Sequence, residues 1–207
     1  MKYIKYLNII LLLIILYSTH TLVETIRIEK MLSDFKENAN VEVYDLSEDI
    51  DFIFEQNDIL LNRKSGHDNL ILRDIITFYT GGHAALVTDE AGTKTIEVFG
   101  YKGYDTFVNE YDNDWITYEA EVIGLRTKPV TLDFTLFIGR GYDWFPYLPN
   151  KQKYCTELIT DTYSMVGINL DYDYGIATVN DIILSSKTEL YLYKEIKDGK
   201  VYIYWED

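Results

Sequence analysis

The chain has 207 residues, with 34 Asp and Glu against 19 Lys and Arg, a net charge of −15 and a single cysteine. That excess of carboxylates excludes the basic footprint that nucleic acid requires, and electrostatic docking on anionic lipid with it; one cysteine excludes an internal disulfide. Beyond an apolar N-terminal segment, about 180 residues are enough for one domain with its own core.

Lys2 and Lys5 precede the apolar run LNIILLLIILY (Leu7–Tyr17). Extended through STHTLV to residue 23, the segment reaches the roughly 17–20 residues that span a bilayer. No A-x-A-like cleavage site follows, so residues 1–23 read first as an uncleaved membrane anchor and second as a cleaved signal segment. The flanking lysines favour an inside N-terminus, which puts the rest of the chain outside the cytoplasm, anchored or, after cleavage, secreted. Ile26, Ile28, Met31, Leu32 and Phe35 give a rough helical stripe, and residues 24–50 are expected as a helical stalk or linker before a domain at 51–207.

In that domain QNDILLNRKSG (Gln56–Gly66) predicts a short strand ending in a turn, and NLILRDIITFYTGG (Asn69–Gly82) a helix stopped by two glycines. HAALVT and TKTIEVFGY, separated by DEAG, predict a hairpin, and EAEVIGLRT (Glu119–Thr127) a further strand. GYDWFPYLPNKQKY reads as an aromatic, proline-rich loop, and its aromatics, like the nineteen tyrosines, as core and strand residues rather than a carbohydrate site. Leu158, Ile159, Thr162, Tyr163 and Val166 form an amphipathic helix stopped by Gly167, and the last segment is expected as a hairpin turning at Asp198-Gly199. Helices mixed with antiparallel strand signals predict an α+β domain.

The one thiol, Cys155, falls in the first turn of the helix at 155–166, where unpaired backbone N–H groups and the helix dipole favour a thiolate. Position alone marks a half-buried structural cysteine more often than a nucleophile. A nucleophile needs a base. His20 lies in the anchor and His67 in a polar turn, which leaves His83 at the head of its apolar strand. Glu97 sits within TIEVFG, and a carboxylate buried there without a partner would cost several kcal/mol. A hairpin centred on Glu90 would set residues 83 and 97 directly opposite each other, so that Glu97 orients the His83 ring. A one-residue slip would separate them onto opposite faces.

The order NDILL, a helix, GGHAALV, IEVFG, YDW, KYCTELI and ATVNDIILSSKTEL resembles the YiiX/YaeF-like permuted papain-fold amidases, a circularly permuted branch of the NlpC-type cell-wall peptidase superfamily. The likeness runs from about Gln56 to Leu190 and is most specific at the aromatic-Cys-Thr-Glu-Leu stretch. It implies a permuted papain-like fold with a small antiparallel sheet packed against helices. It also implies Cys155 as nucleophile, His83 as general base, Glu97 as the orienting group and Tyr154 as a residue lining the substrate site. Glu157 and Asp58 fall at family positions read as structural. Asn57 replaces the usual glycine and Asn180 the common proline. The activity implied is a thiol hydrolase that cleaves an amide, a peptide or N-acyl amino acid, through a thioester, with no cofactor and no metal. An acyltransferase or lipid esterase using the same triad, and a silent surface-binding module, are the rival readings.

Overall fold

A computed structural model describes residues 2–50, 52–63, 82–98, 107–109, 114–143, 153–172 and 176–206. The helix expected at Asn69–Gly82 and the turn holding His67 lie outside the described residues, as does most of the aromatic loop.

Helix α1 (Lys2–Asn38) is one unbroken helix of 37 residues. From Tyr6 to Val23 its large apolar side chains are largely exposed, whereas Ile28, Leu32 and Phe35 are buried in the domain. Those three recur at i, i+4 and i+7, so one stripe of the helix faces the core. It is long and apolar enough to cross a membrane, a property shared with signal sequences. Its last turn leads into β1 (Asn40–Asp45), which pairs with a strand from the other end of the chain. Residues 24–50, expected as a stalk or linker, therefore supply core side chains and an edge strand.

The remaining strands are β2 (Ile59–Asn62), β3 (His83–Val87), β4 (Thr95–Glu97), β5 (Phe107–Asn109), β6 (Glu121–Arg126), β7 (Glu189–Lys197) and β8 (Lys200–Trp205). They form one eight-stranded sheet in the order β1-β8-β7-β6-β2-β3-β4-β5, larger than the small sheet expected, with every neighbouring pair antiparallel. Asp198 and Gly199 both take positive φ, 52° and 74°, and close the β7–β8 hairpin where the Asp-Gly signal placed it.

Alternation along the strands divides the core in two. Ile59, Leu61, Ala84, Leu86, Ile96, Ile123 and Leu125 face one way, into a cluster completed by α1, by α3 (Cys155–Ser164) and by α4 (Val179–Leu184). Leu60, Ala85, Val87 and Val122 face the other way, packing with Trp115 and Ile116 of the short helix α2 (Asp114–Tyr118) and with Ile50 and Phe54. Both faces are covered, which explains why β2 and β3 read as continuous apolar runs rather than alternating ones. Helix α4 starts in a reciprocal capping box: Thr178 Oγ1 accepts from Asp181 N–H, and Asp181 accepts from the Thr178 backbone. The architecture is α+β, as the sequence predicts.

Candidate active site

Histidine 83 is the first residue of β3, and the glycine before it explains how it gets there. Gly82 has φ +111°, and a Cβ at that position would collide with the backbone carbonyl of Asn62, the residue paired with His83 on β2. Only glycine lets the chain pass that close and turn into the strand.

The β3–β4 register pairs Leu86 with Ile96 and Val87 with Thr95. The hairpin is therefore centred on Ala91, not on Glu90 as expected, and Glu97 is level with Ala85 rather than with His83. The turn is held by Asp89, whose carboxylate accepts from Thr93 N–H at 2.9 Å and Lys94 N–H at 2.8 Å, pulling the centre one residue on. Moving the centre by one residue shifts the pairing by two, which preserves the face. Glu97 thus reaches His83 diagonally, and its Oε2 lies 2.8 Å from His83 Nε2.

Glu97 is 2% exposed yet fully satisfied. Its Oε1 accepts from Thr95 Oγ1 at 2.5 Å and from Trp115 Nε1 at 3.3 Å. Burial alone would raise its pKa, but the hydrogen bond and charge of His83, then Thr95 and Trp115, hold it below the usual carboxylate range. The indole of Trp115 also stacks on the imidazole, with centroids 5.7 Å apart and planes 12° from parallel.

Cys155, 3% exposed, occupies the first position of α3, which packs across β3. Its thiol is hydrogen-bonded to the His83 ring. With Nε2 committed to Glu97, Nδ1 is the nitrogen that meets the sulfur. Burial opposes charge on the imidazole, but the hydrogen bonds and charges of Cys155 and Glu97 outweigh it and raise the pKa to about 10. Among the described residues no side chain caps the start of α3, so none of them claims the N–H groups of its first turn as a capping group.

The segment before the helix is clamped from both sides. Lys153 N–H donates to Gly141 O at 3.0 Å, and Asp143 N–H donates to Lys153 O at 3.0 Å. The Lys153 ammonium bonds Glu157 Oε1 at 2.9 Å and Asp161 Oδ2 at 2.5 Å, one and two turns into α3. Tyr154 is buried beside the thiol, and burial, followed by the charges of Glu157 and Cys155, pushes its phenol up despite a backbone hydrogen bond from Ala177. Burial, then the charges of Cys155 and Asp143, likewise push the Tyr142 phenol up.

The structure thus brings Cys155, His83 and Glu97 together and sets Tyr154 against them. The two expected structural residues have distinct partners. Asp58 accepts from Arg126 Nε at 2.9 Å, Tyr191 OH at 2.6 Å and Glu55 N–H at 2.7 Å, while Glu157 pairs with Lys153. Trp115 and Thr95 were missed by sequence reasoning. Thr95 was legible in principle, being two residues from Glu97 on the same face. Trp115 arrives from a five-residue helix that carries no pattern. Among the described residues no cluster of three His, Cys, Asp or Glu side chains could hold a metal ion. No family model matches this chain, and the searches of curated proteins and of solved structures gave no match either.

Proposed function

We propose that this protein is a thiol hydrolase that cleaves an amide through a thioester, built as a permuted papain-like domain in which the histidine strand precedes the cysteine helix. One observation carries the reading: a half-buried imidazole held at 2.8 Å by a buried carboxylate, with its other nitrogen facing a thiol on the first turn of a helix. A merely structural cysteine needs neither an oriented histidine nor a carboxylate stripped of water behind it.

In the proposed reaction the Cys155 proton passes to His83 Nδ1 and the sulfur attacks the amide carbon. The C–S bond forms as the carbonyl π pair moves to oxygen, where first-turn N–H groups of α3 stabilise it, about 3 kcal/mol for each donor. The C–N bond then breaks, the nitrogen takes its proton from His83, and the amine leaves. Water gives a proton to His83 as it attacks the thioester, the C–S bond breaks, and the thiol is restored. Glu97 keeps the ring in one tautomer and stabilises the imidazolium throughout. We place the domain outside the cytoplasm, held by α1 as a single N-terminal anchor.

Because Cys155 is the one cysteine, iodoacetamide labels it alone. At pH 6.5 the wild-type chain is expected to alkylate at least about tenfold faster than His83→Ala, since the thiolate is the reacting form. Equal rates in the two proteins would refute the triad.

A further inference from the structure

The residues of α1 just beyond its apolar run are fastened to the elements that build the candidate site. Glu24, 7% exposed, accepts from Asn180 Nδ2 of α4 at 3.4 Å. Arg27 Nη1 donates to Tyr172 OH at 2.5 Å and its guanidinium stands over that ring. Glu29 pairs with Arg63 at 2.9 Å, and Arg63 directly follows Asn62, the strand partner of His83. Thr156, beside the nucleophile, donates to Ala177 O at 2.5 Å, three residues from Asn180. The far end of α1 contacts another part of the sheet, Lys36 meeting Glu195 of β7 at 3.4 Å.

The apolar run itself is suited to lipid. Tyr6 to Val23 spans about 27 Å at 1.5 Å per residue, close to the hydrocarbon thickness of a bilayer. The hydroxyls of Thr19 and Thr21 donate back to the carbonyls of Ile15 and Tyr17, at 2.8 and 3.1 Å, so they need no water. Glu24 and Arg27 then fall at the membrane surface, and half-exposed Tyr172 joins them there, where tyrosine is favoured. Because α1 is continuous, no hinge separates this surface from the domain.

We infer that the site faces the bilayer surface and that its substrate is an amide carried on a membrane-embedded lipid chain, presented from the membrane rather than from bulk water. The inference rests on the thiol-hydrolase reading for its chemistry, but its geometry is independent of it.

The test uses the full chain in phosphatidylcholine vesicles and a variant with seven helix-forming residues inserted between Val23 and Glu24. The insertion lifts the domain by about 10 Å while nearly keeping the helical phase. Two probes compete for Cys155: iodoacetamide, and N-hexadecyl iodoacetamide, which resides in the bilayer. The hexadecyl probe should react with the native chain at least about tenfold faster than with the lifted variant, from loss of effective concentration, while iodoacetamide reacts equally with both. An unchanged hexadecyl rate in the lifted variant would overturn the placement. Slow iodoacetamide labelling that ignores His83 would instead sink the hydrolase reading, leaving the hexadecyl comparison to decide the placement.

Discussion

Replacing Glu97 by glutamine alters one atom at the centre of the site and leaves its shape alone. The amide oxygen can still accept from Thr95 and Trp115, but the NH2 group now faces His83 Nε2, where a carboxylate oxygen stood at 2.8 Å. At that distance and an effective dielectric of 20, the lost attraction to an imidazolium is about 6 kcal/mol. The glutamine dipole and local relaxation recover part of it; if half is lost, about 3 kcal/mol, the His83 pKa falls by roughly two units. His83, raised to about 10 in the native protein, should then titrate near pH 8. NMR of 13Cε1-labelled histidine reads this directly, because the chain has three histidines and His83→Ala identifies the signal. Iodoacetamide labelling at pH 6.5 should slow in parallel. A His83 titration that stays within about half a unit of the native midpoint would show that Glu97 does not support the imidazolium, and the reasoning would fail.

The same pair makes folding stability depend on pH in two directions. His83 is raised from 6.5 to about 10, so its contribution is complete below pH 6.5 and disappears as pH rises through about 10. Glu97 is lowered, so its contribution is complete above its ordinary value of 4.5 and disappears as pH falls through the folded one. Urea midpoints should therefore decline between pH 7 and 10 in the native chain and flatten there in His83→Gln; parallel curves would count against the linkage. Gly82→Ala forces a methyl into the Asn62 carbonyl at a φ that alanine avoids, and should cost about 2 kcal/mol or more while slowing Cys155 alkylation. A variant with native midpoint and rate would contradict the close-approach argument. Asp58→Ala takes the acceptor from the buried Tyr191 hydroxyl and leaves Arg126 with the exposed Glu55 carboxylate at 3.0 Å, with an expected loss of about 3 kcal/mol by urea denaturation; a loss below about 1 kcal/mol would mean that water replaces the carboxylate.

Local signals carried much of this architecture. Asp198-Gly199 marked a hairpin because two successive positive-φ residues are what that turn needs. The alternation of a helical stripe with Gly167 placed α3 and so put Cys155 on its first turn. The partnership of His83 and Glu97 was legible for a subtler reason. Face, not exact register, decides whether two side chains meet, and the misjudged hairpin centre left the face unchanged. What stayed hidden depends on long-range packing. The helical stripe of residues 26–35 shows an apolar face, but nothing local says whether that face covers this domain's core or leads away from it as a stalk. Likewise VEVYD in β1 alternates, but its partner lies some 160 residues further on. Trp115 joins the site only because the fold brings a one-turn helix over β4.

The strand order has a consequence for synthesis. Strand β1, next to the apolar helix, pairs only with β8 among the described strands, and β8 pairs onward to β7. Emerging early from the ribosome, β1 must wait with an open edge until residue 205 is made. The strands bearing His83 and Glu97 have sequence-near partners and can assemble sooner. Between those two moments the nascent chain offers a bare β edge beside an apolar helix, a state in which neighbouring copies can pair wrongly. A premature stop after Lys197 would remove β8 and leave the β1 edge open permanently.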